Sequence, residues 1–403
     1  MHRLALVLAL LLAFAPASAA RAYETRHVVI VVIDGGRYTE TLGDPGFPNE
    51  PRQGLVMAPL GCRGESWNNG VTTTISGHAA ILCGAYQDLA NDGTERPHLP
   101  TLFEYYRAAT GAPASQTWFF SNKEKLAVMS NSDYPDYGDA LAARVNAGCP
   151  GDPGVVAAAE AQLIAARPAL LAMNLADTDI IAHSGDWPGY LRALQVADSL
   201  VYDLWTTIEA DSGLAGRTTL FVTNDHGRHD DAHGGFQNHG CACTGCRHVQ
   251  MLALGPDFRT GWVSATAMQP VDIAPTVGVL LGIAVPYATG RVMDDLLREP
   301  PGPLGVDGEP APGRLRFAAP LPNPTRGGVS VSLEIPVTGD LAVDVLDAQG
   351  RRVATLERGS AGPGRRASTW SGHTGAGRRA APGAYFVRAR LAGRQTATRV
   401  VLR

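Results

Sequence analysis

The sequence predicts an α/β domain built on a doubly wound, mostly parallel sheet, followed by a small all-β sandwich. Three observations carry that expectation. His27–Ile33 (HVVIVVI) is an unbroken β-branched run, the mark of a central strand buried on both faces. Apolar runs then alternate with stretches of helical spacing as far as Leu281. At Glu299 the composition turns to Pro and Gly, and beyond it short alternating segments take over. With 403 residues and 45% apolar side chains, the chain is long enough for one large core and one small one.

The elements follow in order. Met1-His2-Arg3, the apolar run 4–14 and Ala17-Ser18-Ala19 have the basic, apolar and small-residue zones of a secretory signal peptide. Residues 1–22 are therefore expected to be removed, and the mature protein to be secreted, periplasmic or displayed on the cell surface. The apolar run is shorter than the roughly 20 residues a membrane span needs. A catalytic domain is expected over 23–298. Asp34-Gly35-Gly36 closes its first strand, 74–82 reads as helix, 91–100 as loop, and a second helix starts at Thr101. Residues 115–120 and 169–175 read as strands. The stretch 190–209 has apolar residues at helical spacing (Leu191, Leu194, Ala197, Val201, Leu204), strands follow at 218–222 and 249–254, and 271–281 is a helix. Residues 299–317 read as a Pro/Gly-rich linker. In the last segment, 318–403, strands are expected at Val329–Ile335, 341–346, 352–356 and 385–391, the spacing of a sandwich.

Composition narrows the chemistry. A formal net charge of -4 without any long basic run gives no footprint for nucleic acid. Arginine almost completely replaces lysine, and both lysines, Lys123 and Lys125, fall in one short segment. Of the 6 cysteines, Cys62, Cys83 and Cys149 are dispersed while Cys241, Cys243 and Cys246 crowd into one turn. An exported chain makes disulfides the expectation there, with a zinc knuckle as the alternative.

Carboxylates and imidazoles stand where a parallel sheet presents its ligands, just past the carboxyl ends of strands. They are Asp34, Asp179 with His183 four residues on, Asp225-His226 inside Thr223-Asn224-Asp225-His226-Gly227, and His239. Asp179 and His183 share one face of a helical turn. Asp177 stands beside Asp179, and His233 competes with His239.

This order of residues, with Thr74 in Thr72-Thr73-Thr74-Ile75-Ser76-Gly77-His78, resembles the alkaline phosphatase superfamily, and most closely its threonine-nucleophile phosphatases and phosphodiesterases. The resemblance implies two zinc ions. One would be held by Asp34, Thr74, Asp225 and His226, the other by Asp179, His183 and His239. It selects His239 because a His-Gly pair shortly before an apolar strand closes the family's ligand set. It selects Thr74 as nucleophile because that residue lies four positions before His78. Lys123 and Asn91 stand where the family's phosphomonoesterases contact the phosphoryl oxygens, and Lys125 stands where they have Arg, without that residue's bidentate fork. The Cys or Ser motif of sulfatases is absent. A phosphomonoesterase acting on a small-molecule phosphate ester through a phosphothreonine is the activity implied. A phosphodiesterase or nucleotide pyrophosphatase is the alternative, and a surface binding protein with a vestigial site is a third reading. Pro322-Asn323-Pro324, Val345-Leu346-Asp347, Trp370-Ser371-Gly372 and Gly383-Ala384-Tyr385 resemble the immunoglobulin-like domains of flagellar hook-capping type and of type IX sorting signals, which implies contact with secretion or cell-surface machinery.

Overall fold

Strand β1 (His27–Ile33) is the middle of an eight-stranded sheet, and its alternate side chains enter two different cores. Val28, Ile30 and Val32 pack on one face and Val29, Val31 and Ile33 on the other, all 2% exposed or less. Period-2 alternation of side chains explains why an all-apolar strand was needed here: both faces are covered. The computed structural model describes residues 23–298, 315–317, 325, 327–347, 350–392 and 394–403. The expected signal peptide, most of the expected linker and Pro322-Asn323-Pro324 lie outside them.

The sheet also contains β2 (Cys62–Trp67), β3 (Thr117–Ser121), β4 (Arg144–Asn146), β5 (Leu170–Leu175), β6 (Thr218–Thr223), β7 (His248–Leu254) and β8 (Trp262–Val263), in the order β4-β3-β5-β1-β6-β7-β2-β8. The pairings from β4 to β6 are all parallel, and β7 alone reverses, pairing antiparallel with both β6 and β2. One face is covered by α1 (Thr74–Cys83), α2 (Leu102–Thr110) and α7 (Ile273–Leu281). The other is covered by α3 (Gly151–Ala166) and α5 (Trp187–Ala210). Between them in sequence lie the short α4 (Asp177–His183) and α6 (Thr244–Arg247). Local chemistry sets the helix ends. Thr101 and Glu104 form a reciprocal capping box on α2, Asp186 caps α5 through the amide of Gly189, and Gly84, with φ of 71°, ends α1 in the left-handed conformation.

β2 and α3 are among the elements that the sequence does not announce. β2 has the sequence CRGESW, without a β-branched residue, so nothing in its composition marks it as a strand. Helix α3 is Ala-rich and follows a Gly-Asp-Pro-Gly start that reads as turn. The last helix begins at Ile273, preceded by a 3-10 turn over Pro270–Asp272.

The chain divides into two units, Met1–Pro303 and Leu304–Arg403. The second is a sandwich of a three-stranded sheet, β13-β10-β9, and a four-stranded sheet, β12-β11-β14-β15. Its strands are β9 (Arg316–Phe317), β10 (Val329–Ile335), β11 (Gly339–Leu346), β12 (Arg352–Ala361), β13 (Gly364–Trp370), β14 (Gly383–Leu391) and β15 (Arg394–Leu402). Val331, Leu333, Val343, Val345 and Val387 fill its interior around the buried Trp370, whose indole N–H donates to the His373 carbonyl at 2.8 Å. The sandwich begins earlier than the sequence suggested. Phe317 pairs with Leu333 and Leu315 is buried in this core, so residues 315–317 belong to the sandwich rather than to the linker. Among the described residues no helix is long and apolar enough to cross a membrane.

Candidate active site

Because β1, β2, β3, β5 and β6 run the same way, the segments that follow them emerge on one edge of the sheet. Asp34 follows β1, Thr74 opens the helix after β2, Lys123 follows β3, Asp179 follows β5, and Asp225 and His226 follow β6. Reversal of β7 keeps the whole connection 224–247, with His239 in it, on that edge.

Among the buried atoms at this edge without a hydrogen-bond partner are Asp34 Oδ1, Thr74 Oγ1, Asp225 Oδ2 and His226 Nε2. His226 Nε2 lies 3.6 Å from Asp34 Oδ1 and 3.4 Å from Asp225 Oδ2. The second atoms of the same groups are all engaged. Asp34 Oδ2 accepts from Asn174 Nδ2 at 3.1 Å, and Asp225 Oδ1 accepts from the amides of Gly35 and His226. The Nδ1 of His226 lies 2.8 Å from the Gly227 carbonyl. A carbonyl only accepts, so Nδ1 carries the hydrogen and Nε2 keeps its lone pair for a ligand. Orphaned buried polar atoms are costly, and several converging on one point fit a cation.

The second set lies beside the first. Asp179 Oδ1 is 3.4 Å from His183 Nε2 and 3.6 Å from His239 Nε2, and the rings of His226 and His239 stack at 3.8 Å. His239 Nδ1 donates to the Thr72 carbonyl at 2.9 Å, again directing Nε2 inward. Burial, then the nearby His226, push His239 down to about 3, so its imidazole is neutral, the form that binds metals. The competing residues point elsewhere. His233 is exposed and bonds Asp230 at 2.5 Å, while Asp177 accepts from Asn122 and from the amide of Asp152 and so ties α3 to α4.

Lys123 Nζ bridges the two sets, 2.9 Å from Asp34 Oδ2 and 2.6 Å from Asp179 Oδ2. Burial works against its charge, but these two carboxylates outweigh it and raise its pKa. Burial opposes ionisation of Asp179 as well, yet His183, Lys123, His226 and Arg228 hold it well below the usual carboxylate range. Asp34, by contrast, is pushed up by burial and by the Asp225 carboxylate. Asn91 turns its side-chain oxygen to the amide of Ile75 at 3.0 Å, capping the first turn of α1, and no acceptor among the described residues takes its Nδ2 group. Lys125 donates to the backbone and side-chain oxygens of Asn91 at 3.1 and 3.2 Å, so it steadies Asn91 and is not itself gathered among the carboxylates.

Three participants were not singled out in the sequence. Arg228 is fully buried, with its guanidinium on Asp179 and on the carbonyls of Phe236 and Gln237. Asn174 joins Asp34 to His78, whose Nε2 lies 3.0 Å from Asn174 Oδ1. His78 also donates through Nδ1 to the Thr74 carbonyl at 2.8 Å and faces Asp225 Oδ2 at 3.4 Å. Burial would lower its pKa, but Asp225 and Asp34 raise it. The neighbouring hydroxyls are scaffolding: Thr72 donates to the Cys241 carbonyl and Ser76 accepts from Leu89.

Comparison with known proteins agrees with the architecture. Residues 152–283, which include Asp179, His183, Asp225, His226 and His239, match the model of the Metalloenzyme superfamily, and residues 323–394 match that of the FlgD Ig-like domain. The 2,3-bisphosphoglycerate-independent phosphoglycerate mutase of Legionella pneumophila (strain Corby) is 27% identical over 122 residues, 30% of this chain and 22% of that protein. Arylsulfatase K of Xenopus laevis is 31% identical over 97 residues, 24% and 18%. The chain thus spans about a fifth of the length of these curated relatives. Among solved structures, the murine ectonucleotide pyrophosphatase/phosphodiesterase 5 superposes with a TM-score of 0.51 at 15% identity, covering 68% of this chain and 100% of that one. The alkaline phosphatase PafA gives 0.52 at 12% identity (68% and 99%), and BT1596, a 2-O GAG sulfatase, 0.52 at 12% (78% and 82%). The first unit has the fold of the alkaline phosphatase-like metalloenzymes, and the second matches an Ig-like domain.

Proposed function

We propose that this chain is a metal-dependent phosphoric ester hydrolase, a phosphomonoesterase with Thr74 as nucleophile and two zinc ions, exported and carrying its sandwich as an attachment or sorting module. The observation that carries the reading is the convergence of orphaned atoms from Asp34, Asp225 and His226 beside the Asp179, His183 and His239 set, with the buried, unpartnered Thr74 hydroxyl at the start of α1. Carboxylate oxygens and neutral imidazoles suit zinc. Bound there, two dications would lower the pKa of the attacking hydroxyl and of water and would take up phosphoryl charge.

The chain's own residues do the rest. Thr74 Oγ1, at the first position of α1, gives up its proton and attacks phosphorus as the P–O bond to the substrate alcohol breaks and that alcohol leaves protonated. Water then attacks the phosphothreonine, breaking its P–O bond, releasing phosphate and returning the proton to Thr74. The start of the helix presents amide N–H groups to the phosphoryl oxygens. Asn91, its oxygen fixed on Ile75, directs its N–H₂ group as a donor, and Lys123 supplies a positive charge. Arg228 and His78 hold Asp179 and Asp225 in place.

A second reading, a phosphodiesterase, is supported by Lys123 itself. Its ammonium is engaged by Asp34 and Asp179, so the charge that would reward a doubly charged monoester is partly spent within the protein. The deciding experiment measures kcat/KM for a phosphate monoester, a phosphate diester and a sulfate ester on the zinc-loaded enzyme. A monoester preference supports the first reading and a diester preference the second. Activity on the sulfate alone, or full activity after exhaustive chelation, rejects both.

A further inference from the structure

The connection between β6 and β7 holds a second cluster of metal-binding side chains that the catalytic reading does not use. His229, Cys241 and Cys246 each direct a ligand atom into a space where all three lie within 4.8 Å of one another. His229 Nε2 is buried and has no hydrogen-bond partner. The third thiol of the turn, Cys243, touches Cys241 and Cys246, although its sulfur lies outside that group and beside Asp230 and His233. Its own amide donates to Cys241 Sγ at 3.3 Å. Cys246 is fully buried and Cys243 is 8% exposed.

The separation of the sulfurs discriminates between the two chemistries open to such a turn. Cys241 Sγ and Cys246 Sγ are 3.8 Å apart. A disulfide holds its sulfurs at about 2.05 Å. Two thiolates sharing a tetrahedral zinc at about 2.3 Å are separated by about 3.8 Å across the tetrahedral angle. All six cysteines are free, so the expected disulfides of this turn are not formed.

We propose that His229, Cys241, Cys243 and Cys246 bind one structural zinc ion, separate from the catalytic pair. Three thiolates and an imidazole are a closed tetrahedral set, which leaves no position open for catalysis. Its place in the chain gives it a purpose. His229 lies at the start of the excursion and the cysteines at its end, so the ion clamps the base of the loop that carries Arg228 on one side and His239 within. The two ends already touch through their backbones. Gly227 N donates to the Cys246 carbonyl at 2.8 Å, and a Cβ at Gly227 would fall 2.0 Å from the Gly245 carbonyl oxygen. The proposal does not rest on the catalytic reading, because the catalytic ligands include no sulfur.

Cobalt(II) tests it on the full chain. Metal-free protein is titrated with cobalt while the near-ultraviolet thiolate-to-cobalt charge-transfer band is recorded. The expected result is a band that saturates at one cobalt per chain, survives in His183→Ala, and is lost in the double variant Cys241→Ser/Cys246→Ser, together with one equivalent of zinc in the protein as purified. Denaturing alkylation of the unreduced protein is the second measurement, and should label all three cysteines of the turn. Absence of the band from the parental chain, or a disulfide between any two of Cys241, Cys243 and Cys246, overturns the proposal, whether or not the double variant folds. Loss of hydrolysis with the band intact counts against the catalytic reading alone.

Discussion

The two halves of the candidate catalytic centre differ in how they are held. Asp34, Asp225 and His226 sit on strand ends and are fully buried, and their second atoms are fixed by backbone amides, a backbone carbonyl and Asn174. Asp179, His183 and His239 come from a short helix and a long loop, with side chains 5%, 42% and 9% exposed. The first half is pre-organised by the sheet. The second depends on what holds α4 and the loop, chiefly Arg228 and the Thr72 carbonyl. The contrast suits a division of labour in which the rigid half places the nucleophile while the open half admits water and releases product.

On the proposed mechanism, loss of the Thr74 hydroxyl gives the largest effect. Thr74→Ala should lower kcat/KM by roughly 10⁴-fold or more, while metal content changes little because Asp34, Asp225 and His226 remain. Hydrolysis at close to the parental rate would remove Thr74 from the rigid half. Next comes Lys123, whose ammonium bonds a carboxylate of each half. Lys123→Ala should depress monoester turnover by about 10²- to 10³-fold and diester turnover much less, since a monoester carries the extra charge the ammonium stabilises. Equal losses on both substrates would make Lys123 a structural bridge.

Metal release probes the contrast directly. In a chelator titration followed by metal analysis, the proposed ion of the Asp179 set should leave before the proposed ion of the Asp34 set. His183→Ala should weaken that ion by at least the 10- to 100-fold that loss of a supporting residue costs, and leave the other in place. Simultaneous loss of both ions from the parental enzyme would show that exposure does not govern their lability.

Sequence and structure agree most closely where one physical signal dominates. β1, β6 and α5 declare themselves by unbroken apolar runs or by helical spacing, and the candidate ligands that follow such strands, Asp34 and Asp225, are easily located for that reason. β2 is hidden because its six residues include a glycine and three polar side chains, and it is a strand because β7 and β8 pair with it on either side. Arg228 is hidden for a related reason. A lone arginine in a chain rich in arginine carries no local signal, and its burial follows from the loop that folds Phe236 and Gln237 back over it. The turn of Cys241, Cys243 and Cys246 was visible in the sequence, but the distance between its sulfurs was not.

The smallest expected effect concerns the dryness of the open half. His239 belongs to the loop, yet burial and the stacked His226 push its pKa down to about 3, against about 6.5 in an unfolded chain. Between those values the unfolded state takes up a proton that the folded state refuses. The contribution of His239 to stability is therefore complete above about pH 6.5 and declines as pH falls toward 3. At pH 5 the loss amounts to about 2 kcal/mol. Metal-free parental protein should consequently lose more stability between pH 7.5 and pH 5 than His239→Gln, whose neutral amide cannot take the proton, when both are followed by urea unfolding at the two pH values. Asp179, held below the usual carboxylate range, titrates beneath this window, and Asp34 titrates alike in both proteins to the extent that it is independent of position 239. Equal losses in the two proteins would mean that water reaches the His239 ring and that the open half is wet throughout, which would sharpen its contrast with the strand-end half.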